Sequence, residues 1–462
     1  MKLKRNIQIF VAVVLSVQMG FALALGAADA ERLGKDLTPV GGEKAASKDG
    51  NIPAWTGTEA PLPGWSQGKK RVDFWKHKAD KPLFSIDASN VDKYADKLTP
   101  GQLQLFKQLK GYRMDIYPSH RDCGNPDFVV ENTKKKITTA ALAPEGWYLK
   151  EAYMPGIPFP IPQNGVEAML NGKFHYHGIG VDYHSMFTSV SPRKGSEDWI
   201  KAADDLIWYM PWAKKGSTLL STLPPVEWYI HFDYTAPAAL AGQALNITLA
   251  TNKPGNETFY YFPGQRRVRR MPTYAYDSPQ IGFENQYTMD EPEVFFGTLD
   301  RFDWKLAGKK EIYVLYNAFG GNNFDGKFEN FALRDFVNPA ERHYELHRVW
   351  VVEATVKAGM RHSAPKRTYY LDEDSWNYLA ADDYDGQGKI WKVREGFLTP
   401  IYETSSCDVS AFSQYNLADG RYLVDMHAAG TGRDIFYMME GNGPRFNANY
   451  YTADSLRAMS ER

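Results

Sequence analysis

The sequence predicts an α+β chain, an antiparallel sheet with helices gathered on one side, and three observations lead there. Strand-like runs outnumber helical ones, neighbouring runs are separated by short turn sequences, and helical composition is concentrated early in the chain. The clearest stretch spans residues 344–395 and reads as four consecutive antiparallel strands. In the first of them Val349 and Val351 point one way and Trp350, Val352 and Ala354 the other, a density of β-branched and aromatic side chains that suits a covered, pleated surface. Residues 367–371 make the second strand, closed by the short polar turn Asp372-Glu373-Asp374-Ser375. Residues 378–383 make the third, and the turn from Asp385 to Gly388 leads into the fourth, 389–394. Such a meander must bury one face against helices or another sheet.

The N-terminus carries Lys2, Lys4 and Arg5 ahead of an apolar run from Ile7 to Leu25 with small residues after it, the layout of a secretory signal peptide over residues 1–28. An uncleaved membrane anchor is the competing reading, weakened by Ser16, Gln18 and Gly20. Removing the signal leaves 51 basic against 55 acidic residues, a net charge near −4. That balance excludes a nucleic-acid binder, which needs a basic excess. The lack of a cysteine near the cleavage region leaves no residue to acylate, so the mature form is expected to be free of a lipid anchor. Cys123 and Cys407 are the only cysteines. In an oxidising compartment they would close one long loop; otherwise they are two small buried hydrophobes. Aromatic residues make up 14% of the chain, enough to fill a large core.

Residues 29–125 read as an arm followed by a helical pair. The arm is crowded with Gly and Pro, with Trp55 and Trp65 expected to pin it to the body. Residues 90–98 and 100–110 follow as helices, the second opened by Thr99-Pro100-Gly101-Gln102, a capping hydroxyl, a proline at the first helical position and a glutamine that can bond back.

Residues 126–462 are expected to form the sheet, with helices packed on its concave face. Met154 to Pro162 alternates prolines with Ile157, Phe159 and Ile161, which forbids helix and a central strand. It is either an arm along a sheet edge or an apolar lip at a cavity mouth. Residues 164–170 read as a short helix and 196–209 as another, with acidic residues in its first turn. Strands follow at 227–234, 244–250, 259–262 and 265–270, then at 303–306 and 311–316 with Gly308-Lys309-Lys310 between. A last hairpin, 421–428 with 433–439, turns around Gly430-Thr431-Gly432.

Signatures of common catalysis are missing: there is no nucleophile elbow, zinc-protease helix, phosphate loop or complete calcium loop. Asp382, Asp383 and Asp385 read as turn residues. For a metal, His175 and His177 would share one strand face, with Asp182 or His184 completing the set. Arg266, Arg267, Arg269 and Arg270 form the one dense basic feature. They either pair internally with Asp300, Asp303, Asp372, Glu373 and Asp374 or clamp an anionic head group at a cavity rim.

Several strings, among them Asp49-Gly50-Asn51-Ile52-Pro53-Ala54-Trp55, Pro158-Phe159-Pro160-Ile161-Pro162, Pro263-Gly264-Gln265-Arg266-Arg267-Val268-Arg269-Arg270 and Tyr344-Glu345-Leu346-His347-Arg348-Val349-Trp350, resemble the signatures of the domain of unknown function 1329 family. The resemblance spans nearly the whole mature chain. It implies an exported, periplasmic protein of Gram-negative bacteria, peripheral to the outer membrane at most. The implied fold is similar to the lipoprotein carriers LolA and LolB, a large curved antiparallel half-barrel wrapped around helices. It also implies association with a resistance-nodulation-division transporter and an outer-membrane protein, and brings no catalytic residues and no cofactor. On this reading the protein is a non-catalytic carrier of a hydrophobic ligand or an acyl chain. Trp350, Val352, Tyr369, Tyr370, Phe159 and Ile161 would line the hollow, and Arg267 and Arg269 would stand at its rim. The alternatives are a metal-dependent periplasmic enzyme using His175, His177 and His184, and a structural adaptor of a transporter complex.

Overall fold

The computed structural model describes residues 27–135, 137–272 and 274–461. The signal sequence lies outside the described residues except for its last two positions. In chain order the early strands are β1 (Phe84–Ile86), β2 (Met114–Ile116), β3 (Ala141–Leu142), β4 (Leu149–Glu151), β5 (Tyr153–Met154), β6 (Gly180–Val190), β7 (Ile200–Tyr209), β8 (Thr218–Leu219), β9 (Val226–Ala236) and β10 (Ala244–Ala250). The later ones are β11 (Glu257–Phe262), β12 (Arg267–Arg270), β13 (Phe302–Leu315), β14 (Tyr344–Val356), β15 (Lys366–Asp372), β16 (Tyr378–Tyr384), β17 (Ile390–Ile401), β18 (Ser406–Asn416), β19 (Arg421–His427) and β20 (Ile435–Met438). Sixteen of these form one open sheet in the order β1-β2-β14-β15-β16-β17-β18-β19-β6-β7-β9-β10-β11-β12, with β13 on the other edge of β14 and β20 alongside β6. Pairing is antiparallel except where Tyr344 meets Ile116. Among the described residues few helices accompany it, chiefly α1 (Ala27–Arg32), α2 (Pro100–Gln108), α3 (Asp127–Lys135) and α4 (Gly165–Lys173). None is long and apolar enough to cross a membrane.

The four-strand meander forms as expected, and its alternation decides what covers each face. Asp383 on β16 turns toward Arg367 and Arg394, beneath the segment that carries Asp290. Its neighbour Asp382 turns the other way and accepts from Thr99 at the start of α2, since successive strand residues face opposite sides. One core therefore gathers Leu105, Phe106, Tyr112, Phe397 and Tyr415 under α2. The other gathers Phe295, Trp304, Tyr369 and Tyr378 with α4.

The capping box reads true: Gln102 N donates to Thr99 Oγ1 at 3.0 Å and Thr99 N to Gln102 Oε1 at 2.9 Å. Gln102 Nε2 also donates to Tyr313 O and Glu395 Oε1, so the cap docks α2 on the sheet. The preceding helix is a 3-10 helix, Val91–Lys97. On α4, Tyr378 OH donates to Met169 O at 2.6 Å, and a Cβ at Gly165 would meet the Trp304 carbonyl carbon at 2.6 Å. That close approach requires glycine and seats α4 directly on β13.

Five expectations are corrected. Residues 200–209 form strand β7, because pairing with β6 and β9 on both sides outweighs a helix-compatible composition. Residues 302–315 are one strand, not two: Gly308, at φ +106°, absorbs an extra residue in a bulge while the pairing with β14 continues. β19 and β20 do not pair with each other; both lie along β6. The loop between them is drawn off by Gly430 N to Asn323 O and Gly432 N to Phe324 O. Asp382 and Asp383 are buried strand residues, and only Asp385 caps the turn. The proline segment runs through the core, not along an edge: Ile157 and Phe159 are buried. Two of its amides find side chains, Ile157 N donating to Thr133 Oγ1 and Phe159 N to Asn171 Oδ1.

The arm is held down at several points. Trp55 Nε1 donates to Cys123 O at 3.0 Å, and Trp65 packs edge-on against Tyr402. Arg348 donates to the carbonyls of Glu43 and Ala45 while pairing with Glu373. Cys123 and Cys407 are joined, with Cα atoms 5.4 Å apart.

Candidate functional site

The apolar face that the sheet must cover is filled in one half and hollow in the other. Over β13–β16 the filling is aromatic: Phe295 packs within 5.3–5.7 Å of the rings of Trp304, Tyr369 and Tyr378. Over β6–β10 a partly open cavity of about 70 Å³ remains. Alternation on β7 sends Asp204, Leu206 and Trp208 to this side, and β9 contributes Ile230, Phe232 and Tyr234 opposite them. The cover is the segment from Gln280 to Phe296, which lies in a stretch with no regular helix or strand among the described residues between β12 and β13. Glu284, Asn285, Glu293 and Val294 all have positive φ, so the cover is shaped by its contacts with the sheet more than by local preference.

Two carboxyls break the apolar lining. Asp425 accepts from Thr188 Oγ1 and from Tyr287 OH. Burial pushes it up to about 6, against the pull of those two hydroxyls. Asp204 is held well above the usual carboxylate range by burial and then by the charge of Asp425, and its Oδ1 has no hydrogen-bond partner among the described residues. A neutral acid and an unpartnered oxygen in such a lining would meet a hydrogen-bond donor.

The sign of the Asp425 effect is definite. A carboxyl whose folded pKa lies near 6, above its unfolded value near 4, contributes stability that is complete below about pH 4 and lost as pH rises through about 6, roughly 3 kcal/mol in all. Asp425→Asn, which cannot ionise, is expected to flatten that slope. Urea unfolding of both proteins at about pH 4.5 and pH 7.5 checks it, with the difference between them shrinking in the variant.

The residues foreseen as the ligand surface do not come together. Val352 and Tyr369 lie in the aromatic filling, and Tyr370 points to the opposite face, donating to Asp382. Trp350 stacks on Trp376 beneath Lys309. Phe159 is buried beside α4, and Ile161 sits with Leu33, Leu37 and Ile137 under the arm. Arg267 and Arg269 are exposed on strand β12, Arg269 bonded to Gln265, and Arg270 pairs with Glu257. The acids expected to pair with these arginines bind elsewhere: Glu373 and Asp374 hold Arg121. None of the eight lines the cavity among the described residues. His175 and His177 converge, but on Asp408 of β18, while His184 and Asp182 pair separately. His175 and His177 lie between α4 and β6 and not on a strand, so the shared strand face expected of them is corrected; Asp408, over 200 positions away, gave no local signal.

An open, mostly antiparallel sheet that buries an apolar cavity beneath an irregular cover is the class of protein this structure defines. The chain belongs to the family described as Protein of unknown function (DUF1329), whose profile matches residues 85–457. It is 38% identical over 408 residues, 87% of each chain, to the uncharacterised protein PA3922 of Pseudomonas aeruginosa. Among solved structures, a DUF1329 family protein from Desulfovibrio piger aligns with a TM-score of 0.41 and 14% identity, over 62% of this chain and 98% of that one. The LolA superfamily protein NE2245 from Nitrosomonas europaea aligns with a TM-score of 0.34 and 10% identity, over 63% and 99%.

Proposed function

We propose that the protein is a non-catalytic periplasmic carrier of a small apolar ligand with a hydrogen-bond donor at one end. The cavity between β6–β10 and residues 280–296 carries this reading, because its lining is mostly apolar, with the carboxyls of Asp204 and Asp425 and a few neutral polar groups such as Thr188, Gln280 and Tyr287 breaking it. At about 70 Å³ it is smaller than the roughly 150 Å³ cavity that accommodates benzene, so a longer ligand enters by displacing the cover. Each methylene then buried contributes about 0.8 kcal/mol. The signal-like N-terminus supports export. The transporter and outer-membrane partners, and an acyl chain as the cargo, rest on the family resemblance alone.

The test is the binding of the uncharged apolar fluorophore N-phenyl-1-naphthylamine, with organic extraction and mass spectrometry of protein isolated from cells. The wild type is expected to enhance the fluorescence. Leu206→Trp, which fills the cavity at a cost of about 1–3 kcal/mol in overpacking, should abolish the enhancement while the fold persists. Equal binding by the two proteins would place the ligand elsewhere and end this reading.

A further inference from the structure

Away from that cavity, three ligand-type atoms meet in the interior where α4 ends. His175 Nε2 lies 2.9 Å from His177 Nδ1 and 3.1 Å from Asp408 Oδ1, and His177 Nδ1 lies 3.6 Å from the same oxygen. Ligand atoms bound at 2.0–2.1 Å to a tetrahedral ion are about 3.3 Å apart, so the three separations outline one face of such a shell. All three residues are buried, the most exposed being His175 at 5%.

The hydrogen bonds around them leave a positive charge wanting. His175 Nδ1 contacts Gly172 O at 2.5 Å, which fixes the proton of the neutral ring there and turns the Nε2 lone pair toward the other two atoms. Tyr437 OH donates to Asp408 Oδ2 at 2.9 Å, leaving Oδ1 facing inward. The His175 lone pair and a carboxylate oxygen thus converge with His177 Nδ1, whose tautomer no outer hydrogen bond fixes, since His177 Nε2 has no partner among the described residues. An imidazole held by a backbone carbonyl and a carboxylate held by a phenol are the outer contacts typical of metal ligands. The three atoms occupy three positions of such a shell and leave the fourth to water or another small ligand.

We infer that His175, His177 and Asp408 form a binding site for a divalent transition-metal ion of the zinc type. Two imidazoles and a carboxylate are the donors such ions take, and oxygen-seeking calcium or magnesium would not choose them. Bound there, the ion fastens the end of α4 to β18, independently of what the cavity holds.

The experiment uses the full chain, exported by cells grown with cobalt(II) so that the buried site is loaded as the protein folds. About one cobalt per chain with the intense visible absorption of a four-coordinate ion is expected. His177→Gln and Asp408→Asn should each lower the content at least tenfold, and His120→Ala, in the separate His77/Asp80/His120 cluster, should leave it unchanged. Should the buried variants fail to fold, His120→Ala decides: a melting temperature raised in its loaded form over its chelator-treated form, with that absorption, supports the site. Metal-free native protein after loading, or uptake lost in His120→Ala and kept in His177→Gln, overturns it. The first outcome would mean that a proton shared by the two histidines supplies the charge.

Discussion

Arg367→Met is expected to destabilise the protein by about 3–5 kcal/mol, although the new side chain is apolar and of similar length. Arg367 is 1% exposed and donates to Asp290 Oδ2 at 2.6 Å and to Asp383 at 3.2 Å. Arg394 holds Asp383 from the other side, and Lys392 holds Glu291 at 2.6 Å. The buried set thus sets Arg367, Arg394 and Lys392 against Asp290, Asp383 and Glu291, with His362 also on Asp290 at 2.9 Å, and removing Arg367 leaves the buried carboxylates short of one full positive charge. Burial pushes Asp290 up, but the charges of Arg367 and then of His362 more than offset it and hold the carboxyl well below its usual range. A depressed folded pKa gives stability that is present above about pH 4 and lost as pH falls through the folded value, so the penalty of the substitution should shrink in acid.

Because Asp290 and Glu291 belong to the cavity cover, the loss should be local as well as global. Hydrogen exchange is expected to speed up across 283–299 before it does in β14–β18. Adding Asp290→Asn should recover part of the stability, since the orphaned charge leaves with it. Full additivity of the two changes would mean that the pair does not anchor the cover.

What the chain disclosed in advance was whatever is written locally. The meander showed in Val349, Val351 and Trp350, and the capping box in four consecutive residues. β18 went unread because it is buried along its whole length, so no polar-apolar alternation marks it. Its polar residues are matched by distant partners instead, as Ser410 is by Asn322 and Gln414 by Glu291. β7 was masked by Ala202-Ala203 and its acidic pair, which suit a helix equally well until β6 and β9 close on either side. The candidate site was hidden for a related reason. Asp204 and Asp425 resemble surface acids in sequence, and only the crossing of the 280–296 segment over the sheet buries them. The ring-lined surface read from Tyr369 and Phe159 was real apolar surface, already covered by Phe295 and α4.

Opening the Cys123–Cys407 bond is expected to lower stability by about 5 kcal/mol, the top of the range for such bonds and comparable to the loss of Arg367. The bond closes a loop of 284 residues, so its absence releases a large part of the unfolded chain's freedom. In the folded state little should change: Arg121 still binds Asp374 at 2.7 Å, Trp75 Nε1 still donates to Asp122 at 2.7 Å, and Trp55 still reaches Cys123 O. The double variant Cys123→Ala, Cys407→Ala should therefore keep the native circular dichroism and unfold at lower guanidinium concentration, as wild type does with reductant. If the variant unfolds at the wild-type midpoint, the buried ion pairs of the arm already hold the two ends together in the unfolded ensemble. If instead the arm frays in the folded protein, with faster exchange over residues 40–60 and 115–125, the bond acts on the native state, and the chain-entropy account is wrong for this protein.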